Sequence, residues 1–440
     1  MSVIPVLTAG FGEGHNAAAR SIIEALARKP GLTGELHDLF LEAYGAEKAR
    51  SQRDSYIGVA NKYPRLWGCL YTALDRLPLV RASLPFVRPV EKTLNEMLDA
   101  TRPSVVVSAY PLYNYMMARR WHRDDPARPR LITVVTDSIS VNRAWHRAHS
   151  DWYVTPNQAT ADVMIRQGVP AAKVLPYGFP VSSRLAPRSS AKAGERPRVL
   201  VMLNPGKRDA VELATALSTL GLELTITVGK DASFKEAVER AVDGRAEVLG
   251  WTDRIPSLML SSHLVVSKAG GATTHECVAA GVPMVITQVI PGQEAGNGRL
   301  IAEHHAGAYG LTPASARAII AEAFTGDWAL WKKWKASVDG LGDAGGADRP
   351  EGAVGVELAQ QQAQQSRDDG RGAREDRLDH AAPGCLHGVG VDGEVVQLLA
   401  ISRHHQEGIV RPRTEDEHRE DALALAVEAQ HVVGREEIDH

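Results

Sequence analysis

Short, almost continuously apolar runs alternate with helical periods along most of this 440-residue chain, and that alternation leaves few folds open. "VIPVLTA" near the N-terminus, "SVVVSAY" from Ser104, "LITVVTD" from Leu131 and "DWYVTP" from Asp151 have strand length and little polar alternation. Such strands are buried on both faces, the habit of a parallel sheet covered by helices. Between the first two, residues 16–29 repeat apolar groups with a helical period, and Ala17, Ile22, Ile23 and Leu26 make the inner face. Strand and helix in alternation predict an α/β fold with a doubly wound sheet.

The pattern then breaks and restarts. "APRSSAKAGERPR", Ala186 to Arg198, is rich in Pro, Ser, Gly and charge and has no apolar face, which predicts a linker. Beyond it "VLVMLNPG", "LELTITVG", "AEVLG", "LVVSKAG" and "PMVITQV" alternate with helical stretches, a second unit of the same kind. The predicted organisation is a first domain over residues 1–185, a linker over 186–198, a second domain over 199–338 and a tail over 339–440. Wound sheets bind ligands outside the carboxyl ends of their strands, so two such units place the site in the cleft between them.

Composition narrows the partners. Residues 341–440 contain no Lys, Phe, Tyr, Trp, Met or Asn. A stretch without one aromatic or Met cannot easily build a core, so low order is expected, either as a genuine disordered tail or as GC-rich coding sequence read out of frame. A formal net charge of −3 gives no global field toward nucleic acid, which is not an expected partner. Cys69, Cys277 and Cys385 are widely spaced and odd in number, which argues against a disulfide framework and suits a reducing cytosol. The N-terminus lacks the basic region of a signal peptide, and no run approaches the roughly 18 apolar residues of a membrane span. Any membrane contact is therefore expected to be peripheral.

Two glycine-rich stretches carry the chemistry. In "TAGFGEGHNAAAR", from Thr8, Gly10, Gly12 and Gly14 follow a strand and open a helix, so a ligand can approach the backbone of a helix N-terminus. His15 stands where a dinucleotide fingerprint would have its third glycine. At the carboxyl edge of the sheet, facing the cleft, a histidine can accept a proton near neutral pH.

The second stretch, "SKAGGATTHECVAAGVPMVITQVIPGQEAGN" from Ser267, is more specific. Gly270 and Gly271 let a diphosphate reach the backbone, and Ala272, Thr273 and Thr274 offer amides and hydroxyls where the helix dipole favours negative charge. Glu276 would repel phosphate but suits a ribose, whose vicinal hydroxyls can both donate to one carboxylate. Gln293, Glu294 and Asn297 supply the mixed donors and acceptors that hexose hydroxyls require. Together these residues describe a nucleotide-sugar site.

The combination of "GFGEGH", Asp137 of "TD" followed by Trp145, "YGFPV" from Tyr177, "KAGGATTHE" and "PGQEAGN" resembles the monogalactosyldiacylglycerol synthase and processive diacylglycerol glucosyltransferase family, relatives of the peptidoglycan glycosyltransferase MurG. The resemblance spans about residues 1–335. It implies a GT-B architecture of two Rossmann-like domains, a UDP-hexose held mainly by the second, a lipid acceptor held by the first, and inversion at the anomeric carbon without a metal or other cofactor. On that reading His15 is the general base and Asp137 a second candidate base or an orienter of His15. Gly14, Gly206 and Lys207 join the donor site, and the backbone near Arg254 and Ile255 meets the uracil. The chain departs from the family pattern at "LNPGKRD", where a small glycine- or alanine-rich loop is usual, at "SAYP" from Ser108, and at Asn142, near the place of a family His.

Tyr56 to Lys92 interleaves aromatic and aliphatic groups with cations, among them Trp67, Tyr71 and Phe86 with Lys62, Arg65 and Arg81. This predicts insertion near lipid headgroups and attraction to an anionic membrane surface, with Tyr110 joining the acceptor side. The expected activity is transfer of a hexose from a UDP-hexose to the hydroxyl of a membrane lipid, diacylglycerol, at the cytoplasmic face of the cell membrane. A UDP-sugar epimerase and a non-catalytic UDP-sugar sensor at the membrane are the rival readings.

Overall fold

A computed structural model describes residues 2–343 except 29, 78, 206 and 208, and gives 2, 60–62, 64, 65, 342 and 343 as backbone alone. From residue 344 the predicted tail lies outside the described residues, as do Gly206 and the side chains of Lys62 and Arg65.

The first sheet contains β1 (Ser2–Thr8), β2 (Leu32–Asp38), β3 (Val105–Ser108), β4 (Arg130–Val134), β5 (Trp152–Val154) and β6 (Val174–Leu175). Its order is β2-β1-β3-β4-β5-β6, with every neighbouring pair parallel. The second contains β7 (Arg198–Met202), β8 (Glu223–Thr227), β9 (Glu247–Leu249), β10 (Leu264–Lys268), β11 (Met284–Gln288) and β12 (Gly307–Tyr309). It is also wholly parallel, in the order β12-β11-β10-β7-β8-β9. The central strands owe their place to their side chains: β3 is buried at every position and β4 at all but its first. Continuous apolar runs tolerate only a strand covered on both faces.

The topology positions the site. The chain passes from β1 outward to β2 and returns to the other side of β1 as β3; in the second sheet it passes through β7, β8 and β9 and returns beside β7 as β10. Where the winding reverses, the helices leave in opposite directions and a crevice opens at the carboxyl ends of the strands. The glycines after β1 and those after β10 stand at these two reversals.

The helix after β1 runs from Glu13 to Leu26, beginning three residues before the start that apolar periodicity marks, so His15 lies in its first turn. Ala19, Ile22 and Leu26 pack on the sheet, while Ala18 joins Phe179 and Ala272. One helix thus serves the core of its own sheet and the contact with the other half.

One expectation needs correction. Prolines do interrupt the aromatic and basic segment, which folds as helices Leu39–Lys62, Pro64–Arg76 and Leu79–Ser83. Trp67 and Tyr71, however, do not face lipid. Trp67 is 6% exposed and meets the Tyr56 ring edge-on at 4.8 Å, and Tyr71 hydrogen-bonds Asp137, because the side of helix Pro64–Arg76 that carries these two residues packs against the protein. Phe86, at 83% exposure, does project outward, with Leu66, Leu70, Leu77 and Arg81 also exposed. The segment expected as a linker runs between the last strand of the first sheet and the first of the second, and it is fastened: the Ser189 amide donates to Ala280 O at 2.7 Å, and Arg188 pairs with Asp339 at 3.0 Å.

Arg128 and Asp151 form a buried bidentate pair at 2.7 and 2.8 Å, and the Leu131 amide donates to the same carboxylate at 2.8 Å. Burial alone would raise the Asp151 carboxyl, but hydrogen bonds from His149, Arg128 and Leu131 hold it well below the usual carboxylate range. Asp151→Ala leaves Arg128 desolvated without its counterion, so urea unfolding at pH 7 is expected to show a loss of about 3–5 kcal/mol. A depressed folded pKa contributes stability above the unfolded value, so the difference between wild type and variant should shrink as pH falls below about 3.9.

Candidate functional site

The two halves meet across glycines. Helix Glu13–Leu26 lies against helix Gly271–Ala280, and a Cβ on Gly14 would stand 3.9 Å from the Ala272 amide nitrogen. A Cβ on Gly271 would come within 2.7 Å of the Thr136 carbonyl oxygen, and one on Gly296 within 1.7 Å of the Ser138 carbonyl oxygen. Neither position admits a side chain without moving the backbone opposite. The Gly296 amide donates to Ser140 Oγ at 3.1 Å, and Tyr56 OH donates to Gln293 Oε1 at 3.4 Å, so polar contacts close what the glycines permit.

On the wall formed by the first sheet, His15 Nδ1 lies 3.0 Å from Thr136 Oγ1, and the Tyr110 ring stands edge-on to the imidazole at 5.2 Å. Burial lowers the His15 pKa to about 4, with the Ala109 carbonyl opposing the shift, so the ring is neutral at physiological pH. If Nδ1–H donates to Thr136, Nε2 keeps the lone pair that a base requires. Asp137, the residue after Thr136, is buried, and its Oδ2 accepts from Trp145 Nε1 at 2.8 Å and Tyr71 OH at 3.1 Å. Burial raises this carboxyl to about 6 against those two hydrogen bonds, and the charge of Glu294 adds to the rise. Asn142, near the family's His position, donates from Nδ2 to the Tyr71 carbonyl at 3.0 Å and so fastens the residue that holds Asp137. Phe11, Phe40, Tyr110 and Tyr113 pack into an aromatic wall next to His15.

On the opposite wall the first intrahelical bond of Gly271–Ala280 runs from the Thr274 amide to Gly270 O, so the amides of Gly271, Ala272 and Thr273 have no helical acceptor. Thr274 itself is turned into the core by the helical rotation, and its hydroxyl is buried without a partner. Of the two threonines, only Thr273 presents its side chain toward solvent. Glu276 is half-exposed, yet desolvation raises its carboxyl to about 7 against the pull of Arg20 and Arg184. Lys207 is ion-paired with Asp209, which takes up the charge expected for phosphate. Arg254 caps helix Ile255–Ser261, and its amide donates to Thr252 Oγ1 at 3.1 Å.

Glu294 and Asn297 are buried, and Asn297 donates to Ala269 O at 3.0 Å while its Oδ1 has no partner. Glu294 is ion-paired with Lys268, which sequence reasoning missed, as it missed Thr136 and Tyr56. The only signal for Lys268 was its place at the end of a strand ahead of the glycine pair. A cavity of about 310 Å³ adjoins the first glycine loop, lined by Phe11, Asn16, Arg20, Arg50 and Arg53 and by Lys230 from the second half. Among the described residues, no three of His, Cys, Asp and Glu are grouped to hold a metal ion.

Residues 15–181 match the family model of monogalactosyldiacylglycerol (MGDG) synthase, and residues 207–306 that of the glycosyltransferase family 28 C-terminal domain. The processive diacylglycerol beta-glucosyltransferases of Bacillus cereus and Bacillus subtilis are each 23% identical over 324 and 314 residues, 66% of this chain and 77% and 79% of theirs. Among solved structures, Os79 of O. sativa aligns with TM-score 0.56 at 13% identity, over 82% of this chain and 100% of its own. MurG of Acinetobacter baumannii aligns with TM-score 0.50 at 12% identity, over 77% and 94%. The fold is that of the GT-B glycosyltransferases, two Rossmann-like domains facing a cleft.

The glycine contacts give a direct test. Gly296→Ala should force the Ser138–Ser140 backbone away, and hydrogen exchange there is expected to accelerate while the strands of both sheets remain protected. Unchanged protection at Ser138–Ser140 would mean that the approach of the halves does not depend on that glycine.

Proposed function

Because the chain belongs to the monogalactosyldiacylglycerol synthase and processive diacylglycerol glucosyltransferase family, whose activity is glycosyl transfer to a lipid, we propose that it moves a hexose from a UDP-hexose to the hydroxyl of diacylglycerol, with inversion, at the cytoplasmic face of the membrane. The observation that carries this reading is the placing of His15 and the open amides of helix Gly271–Ala280 on opposite walls of one cleft. A base on one side and an anion site on the other are what a single displacement needs. The acceptor oxygen bonds to the anomeric carbon, the carbon–oxygen bond to the β-phosphate breaks with its electron pair left on phosphate, and the acceptor proton passes to His15. Gly271, Ala272 and Thr273 meet the diphosphate through their amides, Glu276 the ribose, and Gln293, Glu294 and Asn297 the hexose.

The aromatic wall beside His15 supports an apolar acceptor, and the exposed Phe86, Leu66, Leu77 and Arg81 support a peripheral seat on an anionic bilayer. No described helix is long and apolar enough to cross a membrane. Incubating the protein with diacylglycerol vesicles and radiolabelled UDP-hexoses should move label into the lipid fraction. Label appearing only as an isomerised UDP-sugar, or not moving at all, would overturn the reading. The charge on the departing UDP is met by amides and side chains, so turnover should survive EDTA; strict dependence on Mg²⁺ or Mn²⁺ would contradict this.

Two pH dependences follow. The ionised form of Glu276 accepts both ribose hydroxyls, and its pKa lies at about 7, so UDP affinity should weaken as pH falls through 7. Glu276→Gln should bind UDP less tightly and without that slope. The base must be unprotonated, so turnover is lost as pH falls through its folded pKa. A limb near pH 4 identifies His15, and a limb near pH 6 identifies Asp137. With His15 as base, His15→Ala should lower turnover by about 10²- to 10⁴-fold and leave UDP affinity in place.

A further inference from the structure

Lys268 ends β10, three residues before the first residue of the helix whose open amides face the cleft. Its side chain is 36% exposed and is ion-paired with Glu294, whose side chain is 6% exposed. The pair spans the Gly270 turn: a Cβ on Gly270 would lie 3.6 Å from Lys268 Nζ and 3.9 Å from Glu294 Oε1. The ammonium therefore stands over the backbone that leads into the anion site. The carboxylate is fixed, because its Oε2 also accepts from the Ile290 amide at 3.0 Å. The lysine, on its flexible four-carbon stem, is the partner able to move. Lys207, the cation expected at this place from sequence, is instead paired with Asp209 and 9% exposed.

We propose that Lys268 takes up the charge of the departing diphosphate, exchanging Glu294 for the β-phosphate when the donor binds, an inference that rests on the UDP-hexose reading above. In the empty site Glu294 keeps the ammonium in place, so little reorganisation is needed when charge develops on the leaving group. The diphosphate carries more negative charge than a single carboxylate and displaces it. Glu294, released, becomes an acceptor for hexose hydroxyls beside the orphaned Asn297 Oδ1. No proton moves in this exchange: the electron pair of the broken carbon–oxygen bond stays on the β-phosphate, and Lys268 remains an ammonium throughout.

Calorimetric titration of UDP and UMP into wild type, Lys268→Met, Lys268→Arg and Glu294→Gln separates this role from a structural one. UMP lacks the β-phosphate, so wild type should prefer UDP. Lys268→Met should lose about tenfold or more of that preference, the worth of one charge-assisted hydrogen bond, with UMP affinity retained, and Lys268→Arg should restore part of it. Glu294→Gln removes the competitor and should tighten UDP binding while slowing turnover of the UDP-hexose. A Lys268→Met protein with the wild-type UDP-to-UMP ratio overturns the proposal, as does a Glu294→Gln protein that weakens UDP. Glu294→Gln keeps the lysine, so it decides the matter if Lys268→Met fails to fold. Wild type that binds neither nucleotide would instead refute the UDP-hexose reading itself.

Discussion

The site exists because two backbones can touch. Each sheet, wound as it is, ends in a crevice of its own, and neither crevice holds both the proposed base and the proposed anion site. Gly271 against Thr136 and Gly296 against Ser138 allow approaches that any Cβ would block, and they bring His15 opposite the start of helix Gly271–Ala280. The glycine contacts thus act at the fold level and at the chemical level together. They set the spacing of the walls that the candidate site lies between.

Desolvation then tunes the groups that line the cleft. It lowers the imidazole of His15 and raises the carboxyls of Asp137 and Glu276, so each is pushed toward its neutral form. For a base this is an advantage, since a neutral imidazole has its lone pair available at every physiological pH. For Glu276 in its proposed role as ribose acceptor, the same shift places its titration near neutrality. Lys268 and Glu294 meet the same pressure by pairing, which keeps both charged in a place where an isolated charge would be costly.

Much of the fold was legible where the signal was physical necessity. β1, β3, β4, β7, β8, β10 and β11 read as strands because apolar runs buried on both faces have few other homes. Three of the four edge strands were not legible: β2 alternates buried and exposed positions, β6 has two residues and β12 three, too few for any period to show. The glycine stretches marked the two reversals of winding. Side-chain direction was beyond reach. Trp67 and Tyr71 look like a membrane face in the sequence and turn inward in the fold, Thr274 points into the core beside an outward Thr273, and Lys268 takes its meaning from Glu294, 26 residues later. Periodicity tells which residues share an element, but which partner lies across a cleft is a tertiary fact.

The central claim is a single displacement with the acceptor's base on one wall and the leaving diphosphate on the other. On the proposed mechanism the acceptor oxygen attacks from the face opposite the departing phosphate. The configuration of the glycolipid formed from an α-linked UDP-hexose, read by NMR from the coupling of its anomeric proton, tests this most directly. A β-linked product is predicted, and an α-linked product would contradict the account.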